Sequence, residues 1–206
     1  MNQEPDKNME QAILQAAERL FMEKGFAMTS TTENAKAVGC NQALIHYYYR
    51  TKEKLFVAVF EKKAAVFFSG FATIDEGAIS FEESLRLKIE AHFDMIRANP
   101  QLPFLIINEL TTNPSRIGSI KERIGKIAAG VFIPLESRLK EEIAAGRVRP
   151  ISAYDLIINM LSLNVMFFVA SPIFRAALEL SDEEYEWAID ARRRESVEAI
   201  LRSLRP

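Results

Sequence analysis

Cysteine is almost absent from this 206-residue chain: Cys40 stands alone, so no disulfide can close within one copy and no thiol cluster is available for a metal. Histidine is nearly as scarce, with only His46 and His92, which leaves no His/Cys ligand spacing for zinc. There is no glycine-rich phosphate loop and no Ser-His-Asp set that can be singled out. Catalysis therefore finds little support, and neither a metal nor a cofactor is expected. Eight Gly and eight Pro are too few for a low-complexity or disordered chain. An excess of one charge is lacking too: the formal net charge is −2, which does not announce a nucleic-acid partner. Met1 to Asn8 include Glu4 and Asp6 and no apolar run, so no secretory signal is read there and a cytoplasmic setting is expected.

What is present is helical periodicity. Apolar residues recur at i, i+3 and i+4 almost everywhere, and no stretch alternates with period two between turn signals. The expected class is all-α with about nine helices. The first runs from about Lys7 to Lys24 and stops at Gly25. A short second helix follows Thr29 and ends at Gly39, and a third opens at Asn41. Thr51 can cap a fourth that reaches about Gly70. Ser80 with Glu83, and Ser181 with Glu184, read as capping boxes for later helices ending near Ala98 and Leu204. Between them, helices are expected over about Pro103 to Thr112, over Ser115 to Ala145 with Pro134 inside, and from Ser152 to about Ser171, where Pro172 should end it. The division expected is a helix-turn-helix domain over 1–52 and a larger domain over 53–206.

The informative segment is 30–52. Two short helices meet at Gly39, a residue that accepts the positive φ a tight turn requires, and Ser30 with Glu33 can cap the first. A second helix of this size fits the major groove of B-DNA, with its first turn nearest the base edges. That turn carries Asn41, Gln42 and Ala43: glutamine can hydrogen-bond adenine bidentately, and alanine can touch a thymine methyl. His46, Tyr47 and Tyr48 lie one turn later, within reach of groove wall or phosphates. Thr31 and Thr32 sit at the positive end of the second helix, where hydroxyls and amides suit a phosphate, and Lys52 offers a cation. Residues 1–54 carry seven basic and seven acidic side chains, but 29–54 hold four against two, a local excess of +2.

From Gly39 to Leu55 the pattern resembles the signature of the TetR (tetracycline repressor) family. Ile45 takes its buried aliphatic place, Tyr48 its phosphate-binding aromatic place, Tyr49 its buried aromatic place and Lys52 its helix-start lysine. Phe21, Gly25 and Phe26 are similar to the family's end of the first helix, and Ala144 to Pro150 to a turn ahead of its dimerisation helices. Two positions depart: Asn34 stands where an aliphatic residue is usual, and His46 where tyrosine is. The resemblance implies a bacterial, ligand-responsive transcriptional repressor, a homodimer through its last two long helices, a near-palindromic operator, and release by a small effector that moves the fourth helix.

The C-terminal sequence fits that picture. Leu156 to Phe174 carry no charge over 19 residues, long enough to cross a membrane. Asn159, Ser162, Asn164 and Ser171 interrupt the run, however, and no basic cluster flanks it, so burial on two sides, by its own domain and by a partner subunit, is the expectation. A pocket for a largely apolar effector is expected around Phe67, Phe71, His92, Phe93, Asn108, Asn159 and Phe167, with Asn164 beside them. Two alternatives remain: a family member binding DNA in a structural or cell-division role, and an all-helical enzyme.

Overall fold

The computed structural model describes residues 4–69, 79–112 and 114–206, and the side chains of all of these but 4–6, 68–69, 109–110, 112, 114–124 and 127. Among them are nine α-helices and no strand: α1 (Glu4–Met28), α2 (Thr31–Val38), α3 (Gln42–Tyr49), α4 (Lys52–Ser69), α5 (Phe81–Ala98), α6 (Leu102–Thr112), α7 (Pro114–Ala144), α8 (Ala153–Ala177) and α9 (Asp182–Ser203). They divide into two compact units, Met1–Ala64 with Leu105–Glu122, and Ala65–Phe104 with Arg123–Pro206.

In the first unit α1 packs on α2, and α2 on α3. Gly25 breaks the regular dihedrals of α1 at φ 74°, as its place after Lys24 requires, and the chain resumes a short helical turn to Met28. The buried Thr29 hydroxyl donates to the carbonyls of Gly25 (2.9 Å) and Leu20 (3.2 Å), which fixes that turn. Phe26 is thereby set against Phe21 and Phe56, with ring centroids 6.0 and 5.1 Å away. Together with the fully buried Ile13, Ala17, Ile45 and Val59 these rings form the small core that holds α3 in place, each large side chain contributing about 1.5–3 kcal/mol by burial.

Asn34 is buried where an aliphatic residue was the usual choice. Its amide nitrogen donates to the Ile13 carbonyl at 3.4 Å, while its Oδ1 has no hydrogen-bond partner. Ser30 accepts from the Glu33 amide, but the Glu33 carboxylate pairs with Lys24, so only half of the expected capping box forms. Ser181 and Glu184 form theirs completely.

In the second unit α5, α8 and α9 pack on one another over a core that includes Leu85, Ile89, Leu156, Met160, Val197 and Ile200. Arg97 reaches from α5 to Glu186 (2.6 Å) and Asp190 (2.8 Å) on α9, and Arg193 reaches back to Asp94 (2.8 Å). Exposed pairs of this kind are worth about 0–1 kcal/mol each and chiefly set the register of the two helices.

Helix α8 corrects one expectation, since it runs through Pro172 to Ala177. Proline removes the amide that would bond the Phe168 carbonyl, but the Ser171 hydroxyl donates to that carbonyl instead, at 3.0 Å. The helix closes where Glu179 takes a positive φ of 52° and the Leu180 amide returns to the Arg175 carbonyl. By length and composition α8 could cross a membrane. Its Leu156, Met160, Asn164 and Phe168 line the unit's interior at intervals of four, whereas Met166, Ile173 and Phe174 are exposed in the single chain.

Candidate nucleic-acid interface

The turn between α2 and α3 is built by Gly39, at φ 76° and ψ 28°, whose amide bonds back to the carbonyls of Ala35 and Lys36. The next amide, that of Cys40, also returns to Ala35. Asn41 then caps α3, its Oδ1 accepting from the Leu44 amide at 2.9 Å. With both ends of the turn satisfied, α3 has a fixed direction. Ile45 is its buried anchor, and Gln42, Ala43, His46 and Tyr47 are all exposed. Tyr47 retains 63 % of its surface, an unusual setting for a large ring that packs against Tyr48 at 5.2 Å. Tyr48 and Tyr49 are half-buried, and burial together with the Glu10 carboxylate pushes the Tyr49 hydroxyl up to about 12, so it stays protonated.

Thr31 and Thr32 open α2 and meet Gln42 across the turn. The Gln42 amide nitrogen donates to the Thr31 hydroxyl (2.8 Å), and the Thr32 hydroxyl donates to Gln42 Oε1 (3.2 Å). Lys52, at the start of α4, lies over the Phe26 ring at 4.2 Å and donates to the Ala27 carbonyl. The exposed cations of this segment are Lys36, Arg50 and Lys54. All nine expected DNA-facing residues thus fall within one stretch of the first unit, though Asn41 is engaged as a cap.

One feature had no signal in the sequence. Arg50, a residue with a Cβ, takes φ 62° and ψ −51°, and the Thr51 amide closes a γ-turn onto the Tyr49 carbonyl at 2.6 Å. Such a conformation costs about 1–3 kcal/mol and persists only where neighbouring structure holds it. It directs the Arg50 carbonyl back to His46 Nδ1, 2.9 Å away.

The residues expected around an effector divide. Phe67, His92 and Phe93 are buried together in the second unit, with the His92 ring edge-on to Phe67 at 5.0 Å. Asn164 donates to the Ile89 carbonyl (3.0 Å) and to His92 Nδ1 (3.2 Å), so His92 carries its hydrogen on Nε2. Burial pulls the His92 pKa down to about 3, which keeps the ring neutral. Phe167 is half-buried, 6.3 Å from Phe93, and stacks on Tyr185, a neighbour that helical spacing did not single out. Asn159 does not join them: it precedes the buried Met160 by one residue and is exposed on α8. Asn108 is exposed on α6 and belongs to the other unit, and Phe71 lies outside the described residues. A cavity of about 550 Å³ opens elsewhere in the second unit, lined by Phe81, Arg138, Glu142, Arg147 and Leu204 among others, and it includes none of the expected residues. There Arg147 is held by both Glu142 oxygens, at 2.6 and 2.9 Å.

Comparison with known proteins agrees with this geometry. Residues 13–59, which contain α2, α3 and the start of α4, match the family model for bacterial regulatory proteins of the tetR family. The chain is similar to the fatty acid metabolism regulator protein of Bacillus subtilis, at 25 % identity over 72 % of this chain and 74 % of the relative. It is also similar to the nucleoid occlusion factor SlmA of Marinobacter nauticus, at 24 % identity over 91 % and 95 %. In fold it matches the solved structure of a TetR family transcription regulator from Marinobacter aquaeolei VT8, with a TM-score of 0.68 and 22 % identity over 95 % and 97 %. A helix-turn-helix with one face of α3 exposed, on an all-helical chain, agrees with those matches: residues 13–59 carry the DNA-binding segment of the TetR family, and the fold as a whole is that of TetR family regulators.

Proposed function

We propose that the protein is a repressor that binds a near-palindromic operator as a homodimer in the cytoplasm and leaves it when a small, largely apolar effector binds. The observation that carries this reading is the exposed face of α3, where Gln42, Ala43, His46 and Tyr47 face outward from a buried Ile45. Gln42 and Ala43 read base edges in the major groove, while the amino end of α2 at Thr31 and Thr32, together with Tyr48 and Lys52, holds phosphates and Asn41 fixes the helix end. The functional division is a reader over 1–52 and a ligand-binding and dimerisation domain over 53–206. Helix α4 carries both Lys52 and Phe67 and so links the two.

Dimerisation is supported by large apolar side chains left bare on α8 and α9, among them Ile173 at 70 % and Trp187 at 70 % exposure. A twofold pair would present its recognition helices to half-sites about 34–36 Å apart or a multiple of that. The effector site is placed among Phe67, His92, Phe93, Phe167 and Asn164, where aromatic faces surround one oriented amide. Selection of bound fragments from random duplex DNA tests the reading: an inverted repeat is expected from the wild-type chain and none from the Gln42→Ala, Tyr48→Ala double variant. Equal enrichment by both would overturn it. The nucleoid occlusion relative supports a second reading, DNA binding in a cell-division role. Bound sites spread over the whole chromosome, rather than gathered at promoters, would favour it.

A further inference from the structure

The contacts around Gln42 form a continuous chain. The Arg50 carbonyl can only accept, so the 2.9 Å contact places a hydrogen on His46 Nδ1 and leaves the lone pair of the neutral ring on Nε2. That Nε2 lies 3.5 Å from the Gln42 amide nitrogen and accepts its second hydrogen, the first being given to Thr31. Thr32 occupies one lone pair of Oε1. Of the amide's four hydrogen-bonding positions these contacts take three, leaving one lone pair of Oε1.

We propose that Thr31, Thr32 and His46 are positioning residues that hold the Gln42 amide with both hydrogens turned inward, so that it meets DNA as an acceptor and selects a base with an exocyclic amino group. In the major groove those bases are adenine, through N6, and cytosine, through N4; guanine and thymine offer acceptors where the held amide needs a donor. The γ-turn at Arg50 belongs to the device, because it aims the carbonyl that sets the His46 tautomer. This rests on the reading of α3 as the base reader, and it narrows what Gln42 reads from a bidentate contact to a single accepted hydrogen bond.

The test has two arms, both on the full-length protein. Nitrogen-15 imidazole spectra of the free protein at a pH of about 8, where histidine is neutral, report the tautomer directly. A His46 signal with Nδ1 protonated is expected, and one with Nε2 protonated overturns the proposal. The second arm repeats the duplex selection with Thr31→Val/Thr32→Val and with Thr31→Ser/Thr32→Ser. Loss of a phosphate contact weakens all sequences alike, whereas loss of positioning changes the preference at one base pair per half-site. The valine pair is expected to cut an adenine-or-cytosine preference of about tenfold to about twofold, and the serine pair to restore it. An unchanged preference in the valine pair, with folding confirmed by its thermal transition, overturns the proposal while leaving α3 as the reader. Failure of the wild-type chain to select any motif removes the reader itself.

Discussion

The two histidines of the chain occupy opposite settings, and the contrast separates its two units. His46 is exposed on α3, donates from Nδ1 to a backbone carbonyl and lies against a glutamine that faces solvent. His92 is fully buried on α5, accepts at Nδ1 from Asn164 and is held neutral by burial. Around His46 the first unit displays polar side chains on a surface whose hydrogen bonds can be exchanged for those of a ligand. Around His92 the second unit buries them, and Asn164 Oδ1 has no hydrogen-bond partner there, as Asn34 Oδ1 has none inside the first unit. Polar groups on a reading face cost little when unliganded, because water competes freely, whereas unsatisfied buried ones are retained only where packing holds them.

The largest effect expected from this contrast concerns the aromatics. Phe93→Ala empties a fully buried site and should cost about 3–5 kcal/mol in urea unfolding. Tyr47→Ala, on the reading face, should stay within about 0.5 kcal/mol of wild type while weakening operator binding. Equal losses of stability would erase the distinction between a packed ring and a presented one.

Next comes pH. The folded His92 pKa, about 3, lies below the ordinary 6.5, so below pH 6.5 the unfolded chain binds a proton that the folded chain refuses. Its contribution to stability is complete above pH 6.5 and is lost as pH falls from there toward 3, with a slope of up to about 1.4 kcal/mol per pH unit. Urea midpoints at neutral pH and near pH 5 measure this, and His92→Asn should remove that part of the slope. Two smaller effects sharpen the account of the reader. Gly39→Ala forces a Cβ into φ 76° and should destabilise by about 1–2 kcal/mol, seen as a lower thermal transition. Asn34→Val removes a buried acceptor without a partner and should stabilise by about 1 kcal/mol, read by the same transition.

Much of this was legible in the sequence because helix ends carry their own chemistry. Ser30, Asn41, Ser80, Ser152 and Ser181 each accept from the amide three residues on, at the helix start that their position suggested. Ile45 was readable as a buried anchor through the resemblance, in which it takes the buried aliphatic place, and it is fully buried. Besides the γ-turn at Arg50, three features were not, because each depends on a contact that spacing does not encode. Pro172 reads as a stop unless the Ser171 hydroxyl is known to take the Phe168 carbonyl. Asn159 reads as a pocket group because α8 is apolar all round, so periodicity does not distinguish its inner face from its outer one. The Gln42 contacts with Thr31 and Thr32 span eleven and ten residues and exist only once Gly39 has turned the chain.

The central claim is that the opening turn of α3 reads bases and does not merely adhere to phosphate. Competition binding measures this directly, by comparing the affinity of wild type and Gln42→Ala for the selected duplex and for random duplex at one salt concentration. A loss of about 1–3 kcal/mol on the selected duplex and none on random DNA is expected. An equal loss on both, or no loss on either, would contradict it.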